Sequence, residues 1–226
     1  MHKNKLIQTV PLFSDLSGPS LKNITERMVS RSYDKEKMIL IEESSGETFF
    51  LISKGTVKIT RMSDDGREVI LAILGEGDFF GEMALLDGEG RSANVVALED
   101  AEVLTLQRGD FLEILERFPK IAIHLLKELT TRIRHSDQQI ESLSLSGAEQ
   151  RIALVLIRLA EEMGKIKEGT VTIDSIPYQQ DIANMAGTSR ETVSRVYKML
   201  EDKQYISRAG KTLKIINFST FIRQFT

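Results

Sequence analysis

The chain has 226 residues, 41% of them hydrophobic and 28% charged, with a net charge of -3. That is the size and balance of a soluble protein of one large or two ordinary domains with a true hydrophobic core. Its longest apolar runs, such as Ala153 to Leu159, are too short to cross a bilayer. With no Cys it can form neither disulfides nor thiolate-held zinc, iron–sulfur or cysteine-ligated haem centres, and no metal or haem cofactor is expected.

The Lys3/Lys5 start is followed by only two apolar residues before Gln8, which predicts a cytoplasmic chain without a secretory leader. From Met38 to Gln107, short β-rich runs alternate with turn signals, the pattern of an antiparallel roll. The expected strands are Met38 to Ile41, Phe49 to Ser53, Thr56 to Arg61, Glu68 to Leu74, Ala93 to Ala97 and Glu102 to Leu106. Asp65-Gly66 reads as a hairpin turn, and Gly46, Gly55, Gly75 and Gly77 as further turn markers.

After Pro119 the period changes: Leu126, Leu129, Ile133, Ser136, Ile140 and Leu143 recur at alternating spacings of 3 and 4. This heptad seam predicts a helix from Pro119 to about Leu145 that pairs with an identical helix of a second chain, giving a homodimer. Packing of the stripe on the chain's own β-roll is the alternative. Beyond the small, polar stretch Ser142 to Gly147 come a helix (Ala148 to Met163) and a β-like run, Thr170 to Ile173. Two brief helical segments around Gly187, a β pair at Tyr205 to Ser207 and Leu213 to Ile216, and a terminal apolar piece complete the chain. The fold class is therefore α+β, in three regions: a β-roll with flanking helices (1–118), a dimerisation helix and hinge (119–146), and a unit of mixed helices and short strands (147–226).

Charge follows the same division. Residues 1–146 hold 18 Lys+Arg against 24 Asp+Glu, residues 147–226 hold 12 against 9, and the last 39 residues 8 against 3. A basic end on an acidic chain is what a nucleic-acid module needs, since phosphate contacts supply most non-specific binding.

In the acidic half, Gly81-Glu82-Met83-Ala84-Leu85-Leu86, a turn-prone spacer, then Arg91-Ser92-Ala93 reads as an anion cradle. Gly81 lets the backbone approach a ligand, amides at a short helix start face a phosphate, Arg91 supplies the counter-charge and Ser92 a hydroxyl. Glu82 fits beside a phosphate if its carboxylate accepts from a ribose hydroxyl. This stretch resembles the phosphate cassette of the cyclic-nucleotide-binding domain. The resemblance implies a β-roll whose Glu82 holds the ribose 2′-hydroxyl, while Arg91, Ser92 and the amides near Gly81, Met83 and Ala84 hold a cyclic phosphate, with cAMP as the effector. Another effector, or none, is the alternative within the same fold. In the catabolite-activator branch a Thr-Ser pair on the long helix meets the adenine. Those positions fall on Ser136 and Asp137, and the carboxylate of Asp137 leaves the preferred base open.

In the basic half, a helix-turn-helix starting at Gln179 places Ile182, Ala183, Gly187, Val193 and Val196 at the packing positions and exposes Ser189, Arg190, Glu191, Ser194, Arg195 and Lys198, with Ser189 as N-cap. The run Thr188 to Arg195 resembles the recognition helix of the cyclic AMP receptor/fumarate-nitrate regulator superfamily, closest to its catabolite-activator branch. The resemblance implies that residues 147–226 form a winged helix-turn-helix binding double-stranded DNA, in which Arg190 and Arg195 read guanines and Glu191 a cytosine, in a TGTGA-like inverted repeat. Ser194 departs from the branch and leaves the outer bases open. Thr188, Lys203 and Lys211 read as phosphate contacts. Family likeness further implies an RNA polymerase contact at the Gly164 to Gly169 loop. An enzyme is disfavoured: the histidines are only His2, His124 and His135, without an HExxH, a Cys nucleophile or a P-loop.

Overall fold

The computed structural model describes residues 7–8, 10–16 and 18–226. The readings at His2, Lys3 and Lys5 lie outside the described residues. The chain divides after Arg134 into two compact units, and no helix among the described residues is long and apolar enough to cross a membrane.

In the first unit a 3-10 turn (Pro11–Phe13) and α1 (Gly18–Arg27) precede the strands β1 (Val29–Tyr33), β2 (Met38–Leu40), β3 (Thr48–Lys54), β4 (Val57–Met62), β5 (Glu68–Leu74) and β6 (Phe79–Phe80). Then come α2 (Glu82–Asp87), β7 (Asn94–Ala97), β8 (Ala101–Gln107), α3 (Arg108–Arg117) and the long α4 (Pro119–Leu145), whose last residues belong to the second unit. The strands form two antiparallel sheets, ordered β1-β8-β3-β6 and β2-β7-β4-β5. Side chains alternate across a strand, so β3 serves two cores. Phe49 and Leu51 pack toward the helices with Leu104, Phe111 and Ile121, while Phe50 and Ile52 fill the space between the sheets with Val57, Val95 and Val103.

The strand readings hold to within a residue or two, and the Asp65-Gly66 turn joins β4 to β5 as expected. Two strands of this unit escaped the sequence. β1 (Val-Ser-Arg-Ser-Tyr) carries almost no buried side chain and so no alternation, and β6 is only two residues long. Along α4, Ile121 and Leu125 are buried and Leu129 packs against the same core, whereas Leu126, Ile133 and Ile140 stay 63%, 61% and 63% exposed. One face of the helix is thus used by its own unit, and a second apolar stripe is left in water.

The second unit holds α5 (Ala148–Met163), β9 (Lys165–Lys167), β10 (Thr170–Ile173), α6 (Gln179–Ala186), α7 (Arg190–Asp202), β11 (Ile206–Ala209), β12 (Thr212–Ile215) and α8 (Phe218–Phe225). Its sheet has the order β11-β12-β10-β9. The Gly164 to Gly169 segment, read as a loop, is instead largely a strand: Lys165 to Lys167 pair with Thr170 to Thr172 across a turn whose Glu168 and Gly169 both have positive φ. Lys-Ile-Lys hides this from a hydrophobicity pattern because Ile166 itself is exposed. Ile152, Ala153, Leu156, Leu159 and Ala160 on α5 build the core with Ile182, Val193, Leu200 and Phe221.

Candidate functional sites: an anion cradle and a helix-turn-helix face

In the first unit, Gly81 adopts φ 81° and caps α2, turning the chain sharply between Phe80 and Glu82. Arg91 is only 5% exposed, a burial that requires partners for its guanidinium. Its Nη1 donates to the Gly81 carbonyl (2.7 Å) and its Nη2 to the Thr48 carbonyl (2.8 Å), while its buried Nε has no partner. Burial lowers the Arg91 pKa, against the pull of Glu82 and Glu47. The main chain of Arg91 is pinned too, by Arg91 N–H to Ser44 O (3.0 Å) and Glu43 N–H to Arg91 O (2.9 Å).

Gly46 completes the enclosure. A Cβ there would fall 2.4 Å from Ala84 Cβ and 3.0 Å from Arg91 Nε. Read from sequence as a turn marker, it is instead a close-approach glycine: φ at Gly46 is not positive, and it is the absence of a side chain that matters. Of the remaining cassette residues, Ala84 is buried beside Arg91, whereas Met83 and Ser92 are exposed, with the Ser92 hydroxyl 3.6 Å from the Met83 sulfur.

Glu82 is 2% exposed. Burial raises its pKa, an effect that Arg132, its own backbone N–H and Arg91 oppose. Arg132 is the functional candidate that sequence reasoning missed. From α4 its Nη1 donates to Glu82 Oε1 (3.1 Å) and its Nη2 to the Phe79 carbonyl (2.8 Å), with the guanidinium 4.6 Å from the Phe79 ring centroid. Glu128, one turn earlier, lies 3.5 Å from the same guanidinium. The available signal was an Arg one residue before the seam position Ile133 and four before Ser136, in a stretch that also carries Arg134. The cassette therefore does not close on an Arg91–Glu82 ion pair; Arg91 binds main-chain carbonyls and Glu82 binds Arg132. Ser136 and Asp137 are both exposed on α4 and belong to the second unit.

In that unit α6 ends at Gly187, whose left-handed φ of 58° lets Thr188 N–H reach the Ala183 carbonyl (3.0 Å). Ala183 and Ile182 are fully buried where α6 meets α7. Ser189 then caps α7, its hydroxyl accepting from Thr192 N–H at 3.2 Å. With Val193 and Val196 turned inward, Ser189, Arg190, Glu191, Ser194, Arg195 and Lys198 share the exposed surface. The Glu191 backbone N–H, the Ser189 hydroxyl and neighbouring Arg190 hold the Glu191 carboxyl below the usual carboxylate range. Arg195 donates to Thr192 Oγ1 (3.2 Å) and not to Glu191. Thr188 is half-buried in the turn, Lys203 follows α7, and Lys211 in the β11–β12 wing lies 5.8 Å from the Tyr178 ring centroid.

Both halves match known families: residues 30–118 the cyclic nucleotide-binding domain, residues 150–221 the Crp-like helix-turn-helix domain. A cyclic AMP receptor protein of Thermus thermophilus is 35% identical over 205 residues, 91% of this chain and 92% of that protein. The chain belongs to the cyclic AMP receptor protein family. Another member, the cAMP-activated global transcriptional regulator CRP of Pasteurella multocida, is 32% identical over 213 residues, covering 92% of this chain and 98% of its own. The solved structure of a CooA mutant from Carboxydothermus hydrogenoformans shares the fold at a TM-score of 0.80 and 22% identity, covering 99% of each chain. As a cyclic AMP receptor family protein, the chain is a ligand-binding transcription regulator with a helix-turn-helix DNA-binding domain, and not an enzyme.

Proposed function

We propose that the chain is a homodimeric, cAMP-responsive regulator that binds a TGTGA-like inverted repeat. The observation that carries the effector reading is the buried Arg91 with one unpartnered nitrogen, walled by the bare backbone of Gly46 and Gly81 and standing beside the enclosed carboxylate of Glu82. Such a cradle fits a cyclic phosphate against Arg91, with Ser92 and the amides near Gly81, Met83 and Ala84 adding donors and Glu82 accepting from a ribose hydroxyl. cAMP activation is named for the Pasteurella multocida relative. Ser136 and Asp137 are assigned to the base.

Arg132 links this site to α4, because the carboxylate that would meet the ribose is the one it already grips. Dimerisation is assigned to α4 (119–145) through the exposed stripe Leu126, Ile133 and Ile140, an apolar surface of the kind that partners cover. A ligand acts only by binding one state of the dimer more tightly than another, by about 1 to 3 kcal/mol in typical cases. On DNA, Arg190 and Arg195 are assigned to guanines and Glu191 to a cytosine, with Ser189, Ser194 and Lys198 beside them and Thr188, Lys203 and Lys211 on phosphates. RNA polymerase is assigned to the β9–β10 hairpin, and the cytoplasm as compartment.

Random-site selection with and without cAMP tests ligand, half-site and spacing together; recovery of the same unrelated sequences in both arms overturns the reading. Arg91→Ala should weaken cAMP binding by about 2 kcal/mol or more, since a desolvated phosphate loses its partner. Unchanged affinity by calorimetry would show that the cradle is misassigned.

A further inference from the structure

At Met83 the proposed function uses the main chain and leaves the side chain without a task. The chain has no Cys and no Trp but eight Met, so a two-electron oxidant finds its softest targets in the thioethers. Accessibility sorts them. Met28 and Met185 are buried, at 3% and 2%, whereas Met38, Met62 and Met83 are 51%, 54% and 48% exposed. Met38 starts β2 and Met62 ends β4. Met83 alone of these three stands in the cassette, in the first turn of α2 between Glu82 and Ala84, and its sulfur accepts from the Ser92 hydroxyl at 3.6 Å.

A thioether is a poor acceptor, so this contact is weak and the Ser92 hydrogen is easily given up to a better one, such as a phosphate oxygen. Oxidation of the sulfur changes that competition. A sulfoxide turns the apolar side chain into a polar one whose oxygen accepts strongly, and a serine hydroxyl has a single hydrogen to donate. Ser92 then satisfies the sulfoxide or the anion, not both, and the negatively polarised sulfoxide oxygen is itself a poor neighbour for an anion.

Given a cyclic phosphate seated against Arg91 and Ser92, as proposed, we infer that Met83 is a reversible oxidation site through which an oxidant of the hypochlorous acid class weakens effector binding, its sulfoxide holding the Ser92 hydroxyl away from the phosphate. In the step the sulfur loses two electrons and gains the oxygen of hypochlorous acid, the chlorine leaves as chloride, and the proton goes to water. A sulfoxide reductase returns the thioether, two thiols becoming a disulfide as the oxygen leaves as water.

The test treats the full chain with graded hypochlorous acid, locates sulfoxides by peptide mass spectrometry, and titrates cAMP calorimetrically before and after. The fraction of high-affinity sites lost should follow the fraction of Met83 found as sulfoxide, and oxidised chains should bind roughly tenfold more weakly or worse. Methionine sulfoxide reductases A and B with a dithiol should restore the affinity. Met83→Leu should have the same affinity before and after oxidation, whatever its starting value, and Ser92→Ala should lose most of the oxidation effect. Met38→Leu and Met62→Leu should respond as the unsubstituted chain does. A Met83 that stays reduced while Met38 and Met62 react, a sulfoxide there that leaves affinity unaltered, a loss that the reductases do not reverse, or a full response in Met83→Leu or Ser92→Ala overturns the inference. No cAMP binding before oxidation overturns the effector reading, and this inference with it.

Discussion

The two halves handle charge in opposite ways. In the β-roll, Arg91 and Glu82 are 5% and 2% exposed and each is held by designated partners. On α7, Arg190, Glu191, Arg195 and Lys198 stand in solvent. Desolvation has already been met by folding in the first case, which suits the proposed recognition of one small anion with a hydroxyl beside it. In the second case desolvation is deferred to binding, where counterion release and base pairing of charge supply the return. A ligand-sensing unit and a sequence-reading unit therefore need different side-chain environments even when both depend on arginine.

This contrast breaks most visibly at Arg132. Its replacement by Ala leaves the Glu82 carboxylate enclosed without its ion partner, and should cost about 2 kcal/mol of stability near neutral pH, discounted because the Arg132 side chain is 29% exposed. The sign with pH is definite. Burial raises the folded-state pKa of Glu82, so its contribution to stability is lost as pH rises from the ordinary carboxylate range through that raised value. Without Arg132 the loss is steeper, so melting curves of the two proteins should converge in acid and separate as pH increases. A pH-independent difference would mean that Arg132 acts only through packing on Phe79.

On the exposed side, Arg190→Ala should cost about 1 to 3 kcal/mol on the preferred site and relax selectivity at one base pair, whereas Lys203→Ala should weaken all sequences alike and lower the salt slope by about one. Competition assays across salt concentrations distinguish them, and identical behaviour would erase the division between base and phosphate contacts. Ser189→Ala removes the α7 cap and should cost about 1 kcal/mol of thermal stability; no change would place the start of α7 under tertiary control.

The smallest effect is expected at Tyr197. Its ring is buried under the Arg208 guanidinium at 4.7 Å, its hydroxyl has no partner, and burial pushes the phenol up. Tyr197→Phe should be neutral or stabilising by less than about 1 kcal/mol, because removing an unsatisfied group returns its desolvation cost. A clear loss on melting would reveal an acceptor that the hydroxyl reaches in solution.

Much of this was legible in the sequence because its signals are local. The apolar run of Phe49 to Ile52, the period of α4, Gly187 and the Ser189 cap each depend on residues within a few positions of one another. What escaped depends on distance or on silence. Arg132 reaches Glu82 across 50 positions; Arg91 spends two donors on main-chain carbonyls, which every residue possesses and which no pattern marks. Gly46 looked like a turn because glycine often is one, and only its approach to Ala84 and Arg91 reveals its use. β1 and β9 are strands whose side chains bury almost nothing, so backbone pairing alone defines them.

If, as proposed, two chains pair through the solvent-facing Leu126, Ile133 and Ile140 of α4, the regulator depends on its own abundance. If the operator is a palindrome read by two chains, a scarce protein spends its time as separate halves, each able to grip only half a palindrome. Gene dosage would then act as a second input alongside the metabolite, and a cell could silence such a switch by dilution alone.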